Sequence, residues 1–299
     1  MRNLVRCLPV FFMLFFFASF AFAHDVLVLK SADIKPYQEA LDSFRRTCGC
    51  RTTEVNMQDL KEGELSNRIA TLHVDAVFAI GSEALREAKS IRDIPVVHAL
   101  TPVNPYSGPE HENISGVSMY ISAQRQLEAM VRVFPGSRKI GCIYNEKNFG
   151  AFVQEAQQVA DSLGLELVLS RVQSASEVPS RIDAMKKKIE LFWMLPDVSV
   201  INAGTVNHLL LFSFENRLPV FSFSYKYVEQ GAVAALIIDP AEIGKQSGEL
   251  MHKILSSPIR KGHILQSPRK PGLVINRKVA AKLGIEIGSD IPEGPRDIR

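Results

Sequence analysis

The first third of the chain alternates short apolar runs with stretches in which apolar residues recur at helical spacing. The runs predict strands, and the stretches between them predict helices, such as 36–46 with Tyr37, Leu41 and Phe44 on one face. Because strand and helix alternate, we expect a parallel sheet with helices on both faces. The predicted strands are 25–31, 52–57, the start of 74–88, and 94–100.

Residues 101–120 interrupt this alternation, because they are rich in Pro, Gly and Asn and show no periodicity. Such a composition predicts a connection between two units. The alternation then resumes with a helix that Ser122 can cap and that Pro135 stops. We therefore expect a second unit of the same architecture. Its predicted strands are 139–145, 165–172, 189–197 and 218–224, separated by helices at 149–164, 176–188 and 205–216.

A third section closes the chain. Residues 231–239 predict a further strand, and Asp239-Pro240 is a favourable start for a helix over 241–255. Residues 273–285 predict a last strand and a short helix capped by Asn276.

The N-terminus has the organisation of a secretory signal peptide over residues 1–23. Two arginines precede the apolar run from Leu8 to Phe17, and Ala21-Phe22-Ala23 is a small-x-small cleavage site. We predict cleavage after Ala23 and export to the periplasm. The alternative is an uncleaved anchor helix, because the apolar run is about as long as a short membrane span.

The overall charge gives no reason to expect a nucleic-acid partner. The formal net charge is +3 over 299 residues, and the signal segment carries two of the arginines, so the remaining chain is close to neutral. The sequence also lacks the nucleophile elbow, the dinucleotide-binding glycine motif, the P-loop and the His-Glu-x-x-His zinc motif. We therefore expect no enzymatic activity and no cofactor.

Three cysteines follow the signal segment. Cys48 and Cys50 are one residue apart, and a disulfide across one residue is strained, although an oxidising compartment permits it. A metal site is disfavoured, because no histidine or second cysteine pair lies at ligand spacing nearby. Cys142 lies inside the apolar segment KIGCIYN and is predicted to be a buried free thiol.

Small or polar residues follow nearly every predicted strand. Ligands of open parallel sheets bind outside the carboxyl ends of the strands, so we interpret these residues as the rim of a binding site. For Asp197 the alternative is that it caps the next turn, because Pro-Asp is common turn chemistry. The strand-end residues are Ser31, Gly81, Ser82, Thr101, Asn145, Pro196, Asp197 and Ser222 to Tyr225.

Eight segments carry a family resemblance over roughly residues 25–290. In chain order they are AIGSEALREA, IPVVHAL, NISGVS, KIGCIYN, FWMLPDVSV, LPVFSFSYKYVEQGAVAAL, IGKQSGELMHKIL and LVINRKVAAKLGI. Together they resemble the ABC-transporter substrate-binding proteins of the type I periplasmic-binding fold, a family that includes tryptophan-type binding proteins.

The chain departs from this family at two places. It has Gly81-Ser82-Glu83-Ala84 where the family has Gly-Thr-x-Ala, and Thr101-Pro102-Val103 where the family has Thr-Asp-Pro. The second difference removes a carboxylate near the implied pocket and leaves the identity of the ligand open.

The resemblance implies an α/β fold of two Rossmann-like lobes, each with a parallel sheet flanked by helices, joined by a three-segment hinge. A small solute would bind in the cleft, and the lobes would close around it. The N-terminal lobe would hold residues 25–118 and 231–262, and the C-terminal lobe residues 119–225 and 273–290. The crossing segments would lie near 117–121, 225–231 and 262–272.

In this arrangement Ser82, Glu83 and Ala84 begin a helix whose free N–H groups attract an anionic group, with simple capping by Ser82 as the alternative. Asp197 is the expected partner of a ligand amine or hydroxyl. Asn145 ends the strand opposite.

Strand alternation lets only one of Ser222 and Ser224 face the cleft. Tyr37 and Tyr225 are placed to enclose the body of a ligand. For Tyr37, helix packing is the alternative.

We therefore expect a monomeric periplasmic protein that presents an amino acid or a similar solute to an inner-membrane ABC permease. The alternative is a sensor protein that presents its ligand to a membrane receptor or kinase. Both functions need only a surface that changes when the hinge closes, so the sequence leaves both open.

Overall fold

The computed structural model describes residues 24–60, 64–103, 111–257, 263–292, 294 and 297–298. The predicted signal peptide and its cleavage site lie outside these residues. Within the described part of the chain, no helix combines the length and apolar character needed to cross a bilayer.

The described strands form two six-stranded sheets with equivalent strand orders. The strands are β1 (Asp25–Lys30), β2 (Arg51–Asn56), β3 (Ala76–Ile80), β4 (Val96–Thr101), β5 (Ile114–Ser118), β6 (Lys139–Tyr144), β7 (Glu166–Arg171), β8 (Leu191–Trp193), β9 (Val220–Ser222), β10 (Ala234–Ile237), β11 (Leu265–Gln266) and β12 (Gly272–Ile275). The first sheet has the order β11-β5-β4-β3-β1-β2, and the second sheet has the order β12-β10-β9-β8-β6-β7. Neighbouring strands pair in parallel, except that β12 is antiparallel to β10.

Helices cover both faces of each sheet. In β1, Val26 and Val28 pack in one hydrophobic core, and Leu27 and Leu29 pack in the core on the opposite face. Burial on both faces explains the nearly continuous apolar runs of the sequence. The helices are α1 (Lys35–Cys48), α2 (Glu64–Leu72), α3 (Ser82–Ala88), α4 (Ala123–Val133), α5 (Glu146–Ser162), α6 (Val178–Asp183), α7 (Ala203–Asn216), α8 (Tyr225–Gln230), α9 (Pro240–Leu255) and α10 (Arg277–Leu283).

The last third of the chain is shared between the two sheets, and here one prediction was wrong. Residues 231–262 were expected in the first lobe, but β10 pairs with β9 and β12 in the second sheet. Because β10 follows β9 through the short helix α8, one crossover places it beside β9. The part that returns to the first lobe is α9, whose Ile243 and Met251 share a core with Phe44.

The crossings between the lobes follow from this topology. They lie at 119–122 after β5, at 238–239 after β10, and at 267–271 between β11 and β12. The second crossing was expected near 225–231, but that segment forms α8 inside the second lobe.

Other predicted elements differ from the structure. The strand predicted over 189–197 forms only over the three residues of β8. Residues 101–120 were predicted to be a connection, yet β5 lies within them and is buried throughout. At the centre of β5, the ring of His98 occupies the space that a side chain on residue 116 would need, so glycine is the residue that fits there. The predicted helix 176–188 contains α6, which ends at Asp183.

The structure gives a state for each of the three described cysteines, and for Cys142 it confirms the predicted buried thiol. Cys48 and Cys50 are joined by a disulfide, and Cys142 is a free, buried thiol. Burial, and then the charge of Asp197, raise the pKa of the Cys142 thiol above its usual range.

Candidate functional site

A cavity of about 170 Å³ lies between the two lobes, next to two of the crossing segments. We call it the hinge cavity. It opens at the carboxyl ends of the strands, where ligands of open parallel sheets bind. Its lining is Pro102 from the first lobe, Met119, Tyr120, Ile121 and Ile238 from the crossings, and Gln126, Phe149, Phe152, Pro196, Phe223 and Leu236 from the second lobe.

Aromatic rings form much of one wall of the hinge cavity. Phe149 and Phe152 are one turn apart on α5, so both point to the same side of the helix. Their ring centroids lie 5.7 Å apart in an edge-to-face arrangement, and Tyr120 lies 5.6 Å from Phe149. This geometry provides a preformed surface for an apolar or aromatic group.

A hydrogen-bonded pair connects the cavity wall to the core of the second lobe. Trp193 is completely buried in β8, and its Nε1 donates to Oε1 of Gln126 at 2.9 Å. Gln126 in turn donates from Nε2 to the carbonyl oxygen of Ile121 at 2.7 Å. These two bonds join the core of the second lobe to the first crossing segment.

Asp197 is fully buried, and its carboxylate accepts four hydrogen bonds from the chain itself. Oδ2 accepts from the backbone N–H of Asn145 at 2.7 Å. Oδ1 accepts from Nδ2 of Asn148 at 2.7 Å, from the backbone N–H of Ser199 at 3.0 Å and from its hydroxyl at 2.7 Å. A carboxylate offers about two acceptor positions on each oxygen, so Oδ1 is fully used and Oδ2 accepts one bond from the chain. The geometry supports the turn-capping alternative.

The charge of Asp197 still reaches the cavity wall. Burial, followed by the nearby Asp197 carboxylate, raises the pKa of the Tyr120 phenol above its ordinary value. Tyr120 therefore keeps its proton at neutral pH, and the wall of the cavity that it forms is uncharged.

The other predicted residues of the second lobe also serve its own structure. Asn145 caps α5 by accepting from the backbone N–H of Lys147 at 2.9 Å. Ser222 is buried and contacts the sulfur of Met194 at 3.6 Å. Tyr225 begins α8 and is 38% exposed. None of these three is among the described residues that line the hinge cavity.

The first lobe brings five predicted residues together at the ends of β1 and β3. Ser31 accepts a hydrogen bond from the backbone N–H of Ala84 at 2.9 Å and so caps α3. Ser82 and Glu83 are exposed in the first turn of this helix. Tyr37 lies against Gly81, and burial and then the charge of Glu83 raise the pKa of its phenol.

Thr101 lies in the first lobe but is turned away from the cleft. Strand β4 bulges between His98 and Thr101, where Leu100 has a φ of +53°. The hydroxyl of buried Thr101 shares a hydrogen bond with Nδ1 of His98 at 2.7 Å. The next residue, Pro102, is the one that reaches the hinge cavity.

The aromatic wall of the hinge cavity was not predicted from the sequence. Phe149 and Phe152 lie in the predicted helix 149–164, but helical spacing of apolar residues does not distinguish a core residue from a cavity residue. Phe223 lies between the two candidate serines, and strand alternation gives it the opposite direction to Ser222. Strand alternation could therefore have predicted that Phe223 faces away from the side of Ser222.

A metal centre finds no support in the described residues, because none of their His, Cys, Asp and Glu side chains form a cluster of three or more suited to a metal ion. The polar groups around the cleft are hydroxyls, an amide and an isolated carboxylate. Such a set suits recognition of an organic solute.

Two α/β lobes with equivalent sheets, three crossings and a cavity between them define the type I periplasmic-binding fold. Solved structures agree with this class. The ligand-free, open structure of a substrate-binding protein with adhesive properties from Clostridium difficile has a TM-score of 0.70 at 21% identity, covering 92% of this chain and 98% of that one. A Streptococcus pneumonia ABC domain in complex with L-Trp has a TM-score of 0.56 at 21% identity, covering 89% and 96%.

The sequence assigns the family. The ABC transporter substrate binding protein family matches residues 50–297, and the chain belongs to this family. A "Tyrosine-binding protein" from Clostridioides difficile (strain R20291) is 28% identical over 190 residues, which is 60% of this chain and 54% of that protein. The chain thus matches about half the length of this relative.

Proposed function

We propose that the protein binds an amino acid or a similar small solute in the cleft between its lobes and delivers it to an ABC importer of the inner membrane. The observation that carries this proposal is the hinge cavity, which lies between two lobes and is bordered by two of their crossing segments. Closure of the hinge would bring the first lobe onto a ligand in the cavity.

The two sides of the cleft suit different parts of such a solute. Phe149, Phe152 and Phe223 offer an apolar surface for the body of the ligand. Ser82 and Glu83, exposed on the first lobe, offer polar groups for a charged end. The tyrosine-binding relative and the L-Trp complex support an amino acid as the ligand, and in particular one with an aromatic side chain.

The remaining parts of the proposal follow from this role. We propose that the signal peptide is cleaved after Ala23, that the mature protein acts as a periplasmic monomer, and that it releases its ligand chemically unchanged. A protein of this kind needs a membrane permease as its partner and no enzymatic activity.

Ligand binding is testable with the intrinsic fluorescence of Trp193, because it is the only tryptophan of the chain and lies 5.6 Å from Phe152. Titration with the common L-amino acids should change this fluorescence for a few of them. The same ligands should stabilise the fold by about 2.7 kcal/mol at a hundredfold excess over Kd. Mass spectrometry of the released ligand should show no chemical change.

A matched pair of variants locates the site. Phe223→Ala should weaken binding by about 2 kcal/mol, or roughly thirtyfold in Kd, because it removes part of the apolar wall. Phe214→Ala makes the same change on α7 outside the cavity, where the ring is 41% exposed, and should leave Kd unchanged. Equal effects of the two substitutions, or no response to any amino acid, would contradict the proposal.

A further inference from the structure

Gln126 brings an amide group to the lining of the hinge cavity, whose other described lining residues are hydrocarbon side chains, prolines, one methionine and Tyr120. The residue is 7% exposed, so it belongs to the wall and not to the solvent-facing surface. A buried polar group next to an apolar cavity fixes which ligands fit, because leaving it without a partner costs free energy.

The orientation of this amide is fixed by its two partners. The indole Nε1 of Trp193 can only donate a hydrogen bond, so it must face the amide oxygen. The carbonyl oxygen of Ile121 can only accept one, so it must face the amide nitrogen. In a flipped amide, the amide N–H would face the indole N–H of Trp193, and the amide oxygen would face the carbonyl oxygen of Ile121.

In this orientation, one of the two N–H groups on Nε2 of Gln126 is not used by these partners. A primary amide nitrogen carries two N–H groups, and Nε2 of Gln126 uses one of them on Ile121. Among the described residues, no second acceptor takes a hydrogen bond from this nitrogen. The packing of Trp193 and Phe152, with ring centroids 5.6 Å apart, restricts movement of the groups behind the amide.

We propose that Gln126 is a specificity-determining residue whose second N–H donates to an oxygen atom on the buried end of the ligand. The site would then select an apolar or aromatic group that ends in an acceptor oxygen, such as a phenol hydroxyl, over the same group without the oxygen. This inference rests on the proposed function, because it places the body of the solute in the hinge cavity.

Two amino acids that differ by one hydroxyl group test the inference. L-tyrosine and L-phenylalanine are titrated against the mature protein by calorimetry, together with the smaller pair p-cresol and toluene. The wild type should bind the hydroxylated member of each pair about tenfold more tightly, which is the effect of one hydrogen bond in a cavity.

The variant Gln126→Met keeps the length of the side chain and removes both the donor and the acceptor of Trp193. It should reduce the preference for the hydroxylated member to less than about threefold, so the readout is the ratio of the two Kd values within each pair. Gln124→Met makes the same change two residues away on α4, where the glutamine is exposed and bonded to Glu128, and should keep the wild-type preference.

A second variant tests whether the change in ligand preference comes from the orientation of the amide or from a change in the fold. Trp193→Phe removes the donor that fixes the amide oxygen but leaves the amide in place. The amide can then rotate, so the preference should fall to a value between those of the wild type and Gln126→Met. Circular dichroism checks that both variants keep the fold.

The outcomes separate this inference from the proposed function. Binding of both members of each pair with the same preference in the wild type and in Gln126→Met would overturn the role of Gln126 and leave the proposed function intact. Failure of the wild type to bind either amino acid, while p-cresol still binds better than toluene, would support Gln126 and count against the amino-acid ligand. No binding of any of the four compounds would overturn both.

Discussion

The two lobes have the same sheet order but present different chemistry to the cleft. The first lobe exposes the hydroxyl of Ser82 and the carboxylate of Glu83, beside the half-buried phenol of Tyr37. The second lobe presents aromatic rings, led by Phe149 and Phe223. Equivalent strand ends therefore do not imply equivalent sites.

The difference arises from how each lobe uses its polar strand ends. In the second lobe, Asp197, Asn145 and Ser222 make hydrogen bonds within the lobe and hold its turns. With these groups occupied, the cavity wall is left to the aromatic residues. In the first lobe, Ser31 is occupied in the same way, but the first turn of α3 stays exposed.

The largest expected effect concerns the buried carboxylate of the second lobe. Asp197→Ala should lower the free energy of unfolding by about 3 kcal/mol, because it removes the buried carboxylate that accepts from the backbone N–H groups of Asn145 and Ser199 and from the amide of Asn148. Equilibrium urea denaturation measures this. Asp33→Ala in the first lobe removes a carboxylate that is 77% exposed and should cost less than about 1 kcal/mol. If Asp197→Ala kept full stability but lost ligand affinity, Asp197 would be a ligand-binding group instead.

The next effect concerns the imidazole that the first lobe buries. Burial, and then the positive charges of His263 and Lys89, lower the pKa of His98 from 6.5 to about 4. The unfolded chain thus binds a proton at a higher pH than the folded one, so stability falls as the pH drops from 6.5 to 4. The loss should reach about 3 kcal/mol.

Urea denaturation at pH 7, 5 and 4 measures this loss in the wild type and in His98→Gln, which has no titratable imidazole. The variant should show a pH dependence that is smaller by the contribution of His98. The same loss in both proteins would show that His98 does not cause it.

Gly81, at the end of β3, packs closely against Tyr37 and Ser31 in the first lobe, and a substitution there tests this packing. Gly81 has a φ of +90°, and a Cβ atom there would lie 2.5 Å from the phenol oxygen of Tyr37 and 2.6 Å from Oγ of Ser31. Gly81→Ala should therefore cost about 1–3 kcal/mol and displace Tyr37. Gly136→Ala, in open space, should be close to neutral. Thermal unfolding compares the two, and equal midpoints would contradict the expected crowding.

The smallest effect compares one strand-end serine from each lobe. Ser31→Ala removes the acceptor for the backbone N–H of Ala84 and should cost about 1 kcal/mol. Ser222→Ala removes a weak contact with Met194 and a 3.4 Å bond from Ser224, so it should cost less. Urea denaturation measures both, and a larger loss at Ser222 would reverse the comparison.

Most of the regular elements were predictable because their signals are local. Helices α1 and α9 lie within one or two residues of the predicted 36–46 and 241–255, since helical spacing of apolar residues defines them. Strand β5 was missed because the sequence Ile-Ser-Gly-Val-Ser has no apolar run. Its burial comes from its neighbours β4 and β11.

The candidate site was less predictable than the fold. Most strand ends were located to within a residue or two, although β8 ends at Trp193 and not at Asp197, and the direction of each side chain depends on partners elsewhere in the chain. Asp197, for example, is fixed by Asn145 and Asn148, which lie 52 and 49 residues earlier. The Leu100 bulge that turns Thr101 inward has no local signal of comparable strength, because leucine seldom adopts a positive φ.

The order of apolar and polar residues was enough to predict the alternation of strands and helices and the two α/β units, because apolar periodicity reflects which side of a strand or helix is buried. The position of β10 in the second sheet, and the lining of the cavity by aromatic rings in place of polar strand ends, became visible in the folded chain alone. These features depend on contacts between segments far apart in the chain, such as the hydrogen bonds that hold the Asp197 carboxylate within the second lobe.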